Sequence, residues 1–156
     1  MIAAYMQEAL ERFISFGGFA AVPAEELPAP LQEWAAHLLV RRETGLVTAV
    51  AFVPSAPASA LRTVRDELAA WVRSEAEAHE AAGLGLMLLV MDRPVTREQY
   101  DEWQKLILEE RLVQVVPWVV DLYRRRLFGH EGPPFGIDPD LAVLAAPEPP
   151  PEKGSE

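Results

Sequence analysis

The stretch "LGLMLLVMD" at residues 84 to 92 is apolar at nearly every position, and it limits what this chain can fold into more than any other feature. A strand with one face in water alternates apolar with polar residues. An uninterrupted run instead fits a central strand buried on both faces. It is too short to cross a bilayer, so the cover has to come from elsewhere in the chain. At 156 residues, half of them hydrophobic, the chain has enough material for one domain with a sizeable core, and too little for two.

The flanking segments read as that cover. Ile2, Tyr5, Met6, Ala9, Leu10 and Phe13 recur at spacings of three and four before Gly17-Gly18, which predicts an amphipathic helix with a glycine stop. Leu61, Val64, Leu68, Trp71 and Val72 mark a second helix from about Pro57 to Ala82, ended by Gly83. Thr96 with Gln99 is a capping-box pattern opening a third, with Tyr100, Trp103, Leu106 and Ile107 expected to face inward.

The strands lie between these helices. "FAAV" reads as a short strand, and in "PAEELPAP" the prolines at 23, 28 and 30 predict a loop. "WAAHLLVRRETGLVTAVAFVP" reads as an antiparallel hairpin around Glu43-Thr44-Gly45. A last strand, "LVQVVPWVVDL", contains Pro117, which predicts an edge position or a neighbouring bulge. The order αβββαβαβ predicts a single α/β domain, a mixed sheet flanked by helices. The core pattern ends near Phe128. Residues 129 to 156 hold seven of the fourteen prolines and six carboxylates against Lys153, a net −5 out of the chain's −10. They read as an acidic Pro-rich tail or linker outside a globular unit of residues 1 to 128.

Charge and composition narrow the function. An acidic chain repels phosphate backbones, so a nucleic-acid partner is not expected. No cysteine is present, which removes thiolate metal sites and thiol nucleophiles. The N-terminus "MIAAYMQEALERF" lacks the basic and apolar regions of a secretory leader, which places the expected location in the cytosol. The serines at 15, 55, 59, 74 and 155 show no nucleophile-elbow pattern. "GLG" at 83 to 85 precedes a strand instead of following one, the wrong order for a phosphate loop. No cofactor is expected.

The order of elements is that of the restriction-endonuclease-like skeleton, whose metal site uses an Asp on one hairpin strand and an acidic residue two before a Lys on the next. Neither "AAHLLVRRE" nor "LVTAVAFVP" has an Asp, a Lys or an internal acidic residue. Glu75 and His79 stand one helical turn apart with Glu80 near, a spacing that can share a divalent ion and is equally that of a solvated helix face. His37 sits in a strand among apolar neighbours, and His130 lies in the Gly-Pro region. Trp118 and the run Arg124, Arg125, Arg126 are where an aromatic, a strand edge and a basic cluster coincide. They form a candidate patch for an acidic partner segment or anionic lipid headgroups. In the bland alternative Trp118 packs the core and the arginines pair with Glu109 and Glu110.

From about His37 to Leu122 the chain resembles the soluble N-terminal domain that precedes the membrane part of some rhomboid-type intramembrane serine proteases of Gram-positive bacteria. The likeness rests on "HLLVRRE", "LRTVRDELAAWVRSEAEAHEAAG", "LGLMLLVMDRPVTREQYDEWQ" and "LVQVVPWVVDL". In that family the catalytic Ser and His lie in transmembrane helices, so the resemblance carries no catalytic residue onto this chain. It implies a non-catalytic regulatory or partner-binding domain at the inner face of the cell membrane, with divalent-ion sensing a possible role. Its partner would be the membrane domain of the same polypeptide, with "APEPPPEKGSE" as the spacer leading there. The alternative is a stand-alone endonuclease-like enzyme with a displaced metal site.

Overall fold

The computed structural model describes residues 1–130 and 137–142. Helix α1 spans Ile2–Ser15, α2 Ala29–Trp34, α3 Ala58–Ala78 and α4 Arg97–Gln104. The strands are β1 Ala20–Ala21, β2 His37–Glu43, β3 Leu46–Pro54, β4 Ala82–Met91, β5 Leu108–Glu109, β6 Val113–Asp121 and β7 Arg126–Phe128. They form one seven-stranded mixed sheet in the order β1-β2-β3-β4-β6-β5, with β7 also on β6. β3, β4 and β6 run parallel, and the other pairings are antiparallel.

β4 is the central strand that its composition dictates. Gly85, Met87 and Leu89 alternate with Leu84, Leu86, Leu88 and Val90 between the two faces, and each face carries its own apolar cluster. The first cluster holds Leu31 of α2, Leu61, Val64, Leu68 and Val72 of α3 and Trp103 of α4. The second holds Tyr5, Ala9 and Phe13 of α1. Gly83 lets α3 lie close, because a Cβ there would stand 2.4 Å from Val72 Cγ1. Both parallel crossovers, β3 to β4 through α3 and β4 to β6 through α4, advance the same way along the sheet, so both helices fall on one face. Among the described residues the order of the parallel strands does not reverse, and they form no switch-point crevice of the dinucleotide-binding kind.

Several expectations hold at the level of residues. The hairpin turns at Thr44-Gly45 with Gly45 at φ +83°. Thr96 and Gln99 form the reciprocal capping box. Others need correction. "PAEELPAP" is not a plain loop: it holds a 3-10 turn at Ala24–Glu26 and the start of α2. Pro30 falls in the first turn of α2, where its missing N–H would have had no helical partner anyway. Ile107 is 40% exposed, because α4 ends at Gln104 and the helical phase that would turn it inward stops there.

β6 is not a free edge. β4 pairs along its length, while β5 covers Gln114 and Val115 and β7 covers Val119 to Asp121 on the other side. Pro117 falls in the gap between them, where its missing donor costs no ladder bond. Packing also continues past Phe128. Ile137, Leu141 and Ala142 are buried in the cluster of α1. There Tyr5 Oη donates to the Ala142 carbonyl at 2.7 Å and Arg12 Nε to the Leu141 carbonyl at 3.0 Å. The folded unit therefore includes these residues, and the boundary at 128 is too early. The stretch 143 to 156, read from sequence as tail, lies outside the described residues.

Candidate docking surface at the carboxy ends of the strands

The three arginines belong to the β6–β7 hairpin. Asp121 stands in register with Arg126, leaving Leu122 to Arg125 as a four-residue loop. Arg125 closes it at φ +57°, a left-handed conformation that tight turns demand and side-chain-bearing residues seldom adopt.

Asp121 holds the loop in place. Its side chain is fully buried, and both carboxylate oxygens are used: Oδ1 accepts from Arg124 N at 2.8 Å and Oδ2 from Val95 N at 3.2 Å. Arg124 Nη1 returns a bond to the Val95 carbonyl at 3.4 Å, and Leu122 N donates to the Met91 carbonyl at 2.9 Å. The hairpin is thereby tied to the β4–α4 connection at three points. The ring of Phe128 in β7 lies 5.8 Å from that of Tyr100 in α4, a further link. Leu122 points inward, whereas Tyr123 is 64% exposed, and Arg124 and Arg126 are exposed beside it.

Trp118 does not join this surface. It is 1% exposed and packs in the α1-side cluster, with the ring of His130 edge-on at 6.4 Å. In "VVPWVV" it occupies one of the two covered faces of a strand buried along its length. Neither Glu109 nor Glu110 pairs with the arginine run. Glu109 Oε2 accepts from Gln114 Nε2 at 2.9 Å, and Glu110 pairs with Arg73. The other cations nearby have local partners, Arg93 with Asp92 and Arg97 with Asp101. Arg126 has no acidic partner among the described residues.

The remaining candidates are accounted for elsewhere. Glu75 and His79 do approach, at 3.8 Å, but the same Glu75 oxygen receives Arg42 Nη2 at 2.6 Å and Nε at 3.1 Å. Among the described residues no group of three or more His, Asp or Glu is placed to hold a metal ion. The His37 ring stands perpendicular to that of Phe52 with centroids 5.7 Å apart, and burial holds its pKa below the ordinary histidine value. Neither Asp121, whose carboxylate holds the loop, nor the exposed Tyr123 is among the candidates that the sequence offers. The available signal was an aspartate closing an apolar strand just before a turn. No family model matches the chain, and no curated protein or solved structure matches it. Among the described residues no helix is long and apolar enough to cross a membrane.

Proposed function

We propose that this chain is a non-catalytic cytosolic accessory domain that docks through its β6–β7 hairpin, and that its host is a membrane-embedded rhomboid-type serine protease. The observation that carries the docking role is the hairpin itself: arginines at 124 to 126, fixed by a buried aspartate at one end of the sheet, in a chain of net charge −10. A cationic loop kept in one conformation loses little entropy when it meets an anionic partner. The hairpin strands β2 and β3, where an endonuclease-like enzyme would keep its carboxylates, instead present Leu38, Leu39, Val40, Val47, Ala49, Val50 and Ala51 to the core. The host assignment rests on the resemblance of residues 37 to 122. The inner face of the cell membrane is the location that follows from it.

Adding the purified chain to a detergent-solubilised rhomboid-type membrane domain should alter the rate at which that domain cleaves a peptide substrate. The chain alone should neither nick plasmid DNA in Mg²⁺ or Mn²⁺ nor cleave casein. An unchanged protease rate together with no measurable binding would remove the host assignment. Nicking or cleavage that copurifies with the chain would remove the non-catalytic reading.

A further inference from the structure

We infer that the hairpin tip is a bilayer contact in which Tyr123 enters the headgroup layer and Arg124 and Arg126 take lipid phosphates. This rests on the docking role proposed above, and commits it to one partner, an anionic lipid surface.

Four observations lead there. Tyr123 is the most exposed aromatic ring besides Phe16 among the described residues, and it sits between the buried Leu122 and exposed Arg124. A phenol of this kind, apolar in body and polar at its tip, suits the boundary between hydrocarbon and water. Exposed Arg124 and Arg126 follow it in the loop and at the start of β7, and a planar guanidinium binds phosphate oxygens in pairs where a lysine offers only a point charge. The contact is small and convex, a four-residue loop and the first residue of β7. A stable protein interface needs about 800 Å² per partner, more than such a tip can present, whereas a bilayer offers headgroups around the whole tip. Lastly, the bonds from Asp121 and to Val95 and Met91 set the loop before any lipid arrives. Asp121 is thus a positioning residue that never touches the membrane.

Such a contact is weak on its own. Stable membrane anchoring takes two signals, and an accessory domain tethered beside a membrane protein has the second one supplied by its tether.

Sedimentation with vesicles tests the inference on the chain alone. The chain should pellet with phosphatidylcholine vesicles containing phosphatidylglycerol and stay in solution with phosphatidylcholine alone. Arg124→Gln and Arg126→Gln should each lower the partition coefficient about fivefold, on the order of 25-fold together. Tyr123→Ala should lower it further. Tyr123→Trp should restore binding and add a blue-shifted emission, relative to the unmodified chain, only with the anionic vesicles. Circular dichroism should be unaltered in all five variants, and melting curves in Arg126→Gln, Tyr123→Ala and Tyr123→Trp, whose changed side chains are exposed; the two variants that change Arg124, which also bonds the Val95 carbonyl, should melt slightly lower. Equal partition of the double Gln variant, equal partition into both vesicle types, or no partition of the unmodified chain would each overturn the inference. If vesicle binding fails while the chain still modulates a rhomboid-type domain in detergent, the lipid contact falls and the accessory role stands.

Discussion

Asp121 shows what a single buried carboxylate does at the end of a strand. Its two oxygens satisfy the N–H groups of Val95 and Arg124. Asp121→Ala should therefore leave both donors without a partner, at about 2 to 4 kcal/mol. Urea unfolding should show a lower midpoint with an unchanged slope, and Asp121→Asn, which keeps one acceptor, should lose less. The neighbouring Trp118 illustrates the converse lesson. Six residues from the first arginine in sequence, it looked like part of one patch, yet its side chain joins the α1-side core. Proximity along an extended strand says little about which face a residue serves. His37 yields a pH prediction. Burial lowers its pKa in the folded state, so the folded chain binds fewer protons than the unfolded one in the window just below the ordinary value of about 6.5. Stability should then be level above that value and fall as pH drops through the window. His37→Gln should flatten this part of a stability-against-pH curve. An identical slope in the variant would show that another group titrates there.

Whole elements were legible where a strong period or an unbroken apolar run marked them. α1, α3, α4, the β2–β3 hairpin and β4 all follow from such patterns. What escaped has a physical reason in each case. α2 is six residues long with a proline in its first turn, so propensity argued against a helix that packing of the buried Leu31 sustains. β5 and β7 are two and three residues long, and exist because β6 offers them open backbone groups. The segment at 137 to 142 was hidden by composition. Its proline and two aspartates suggested a solvated tail, but Ile137 and Leu141 are spaced to reach one face, and Asp138 caps the turn between them through Asp140 N at 3.0 Å. That turn rests on α1 through the bonds from Tyr5 and Arg12, and burial pushes the Tyr5 phenol well above its ordinary pKa. Leu141→Ala should destabilise the fold by about 2 to 3 kcal/mol. Truncation after Phe128 should cost more, because it also removes Ile137 and both carbonyl acceptors. A truncated chain that melts with the intact one would mean that α1 holds its place unaided.

For the molecule as a whole, double cover was readable from one apolar run and a mixed sheet from the order of elements, whereas strand order and the place of the hairpin at the carboxy ends required the fold. The candidate docking surface was legible only as a run of arginines, since the aspartate that fixes the loop does so through two backbone N–H groups, one of them, that of Val95, 26 residues away in sequence. Net charge then sets a test that only this arrangement passes. The chain carries −10 overall, so an anionic bilayer repels most of it while attracting the hairpin. Which effect prevails depends on reach. At physiological ionic strength charges are screened beyond about 8 Å, and at 0.01 M the screening length grows to about 30 Å. With short reach, the bilayer senses chiefly the loop that touches it, and attraction to Arg124 and Arg126 dominates. With long reach it senses the whole acidic molecule. Partition onto phosphatidylglycerol-containing vesicles should therefore pass through a maximum as salt is raised, rather than fall steadily as it does for a uniformly basic protein. The variant with both Arg124→Gln and Arg126→Gln should show no such maximum, its weak binding rising steadily with salt. A monotonic decrease from the lowest salt for the unmodified chain would place its attraction in long-range charge instead of the hairpin tip.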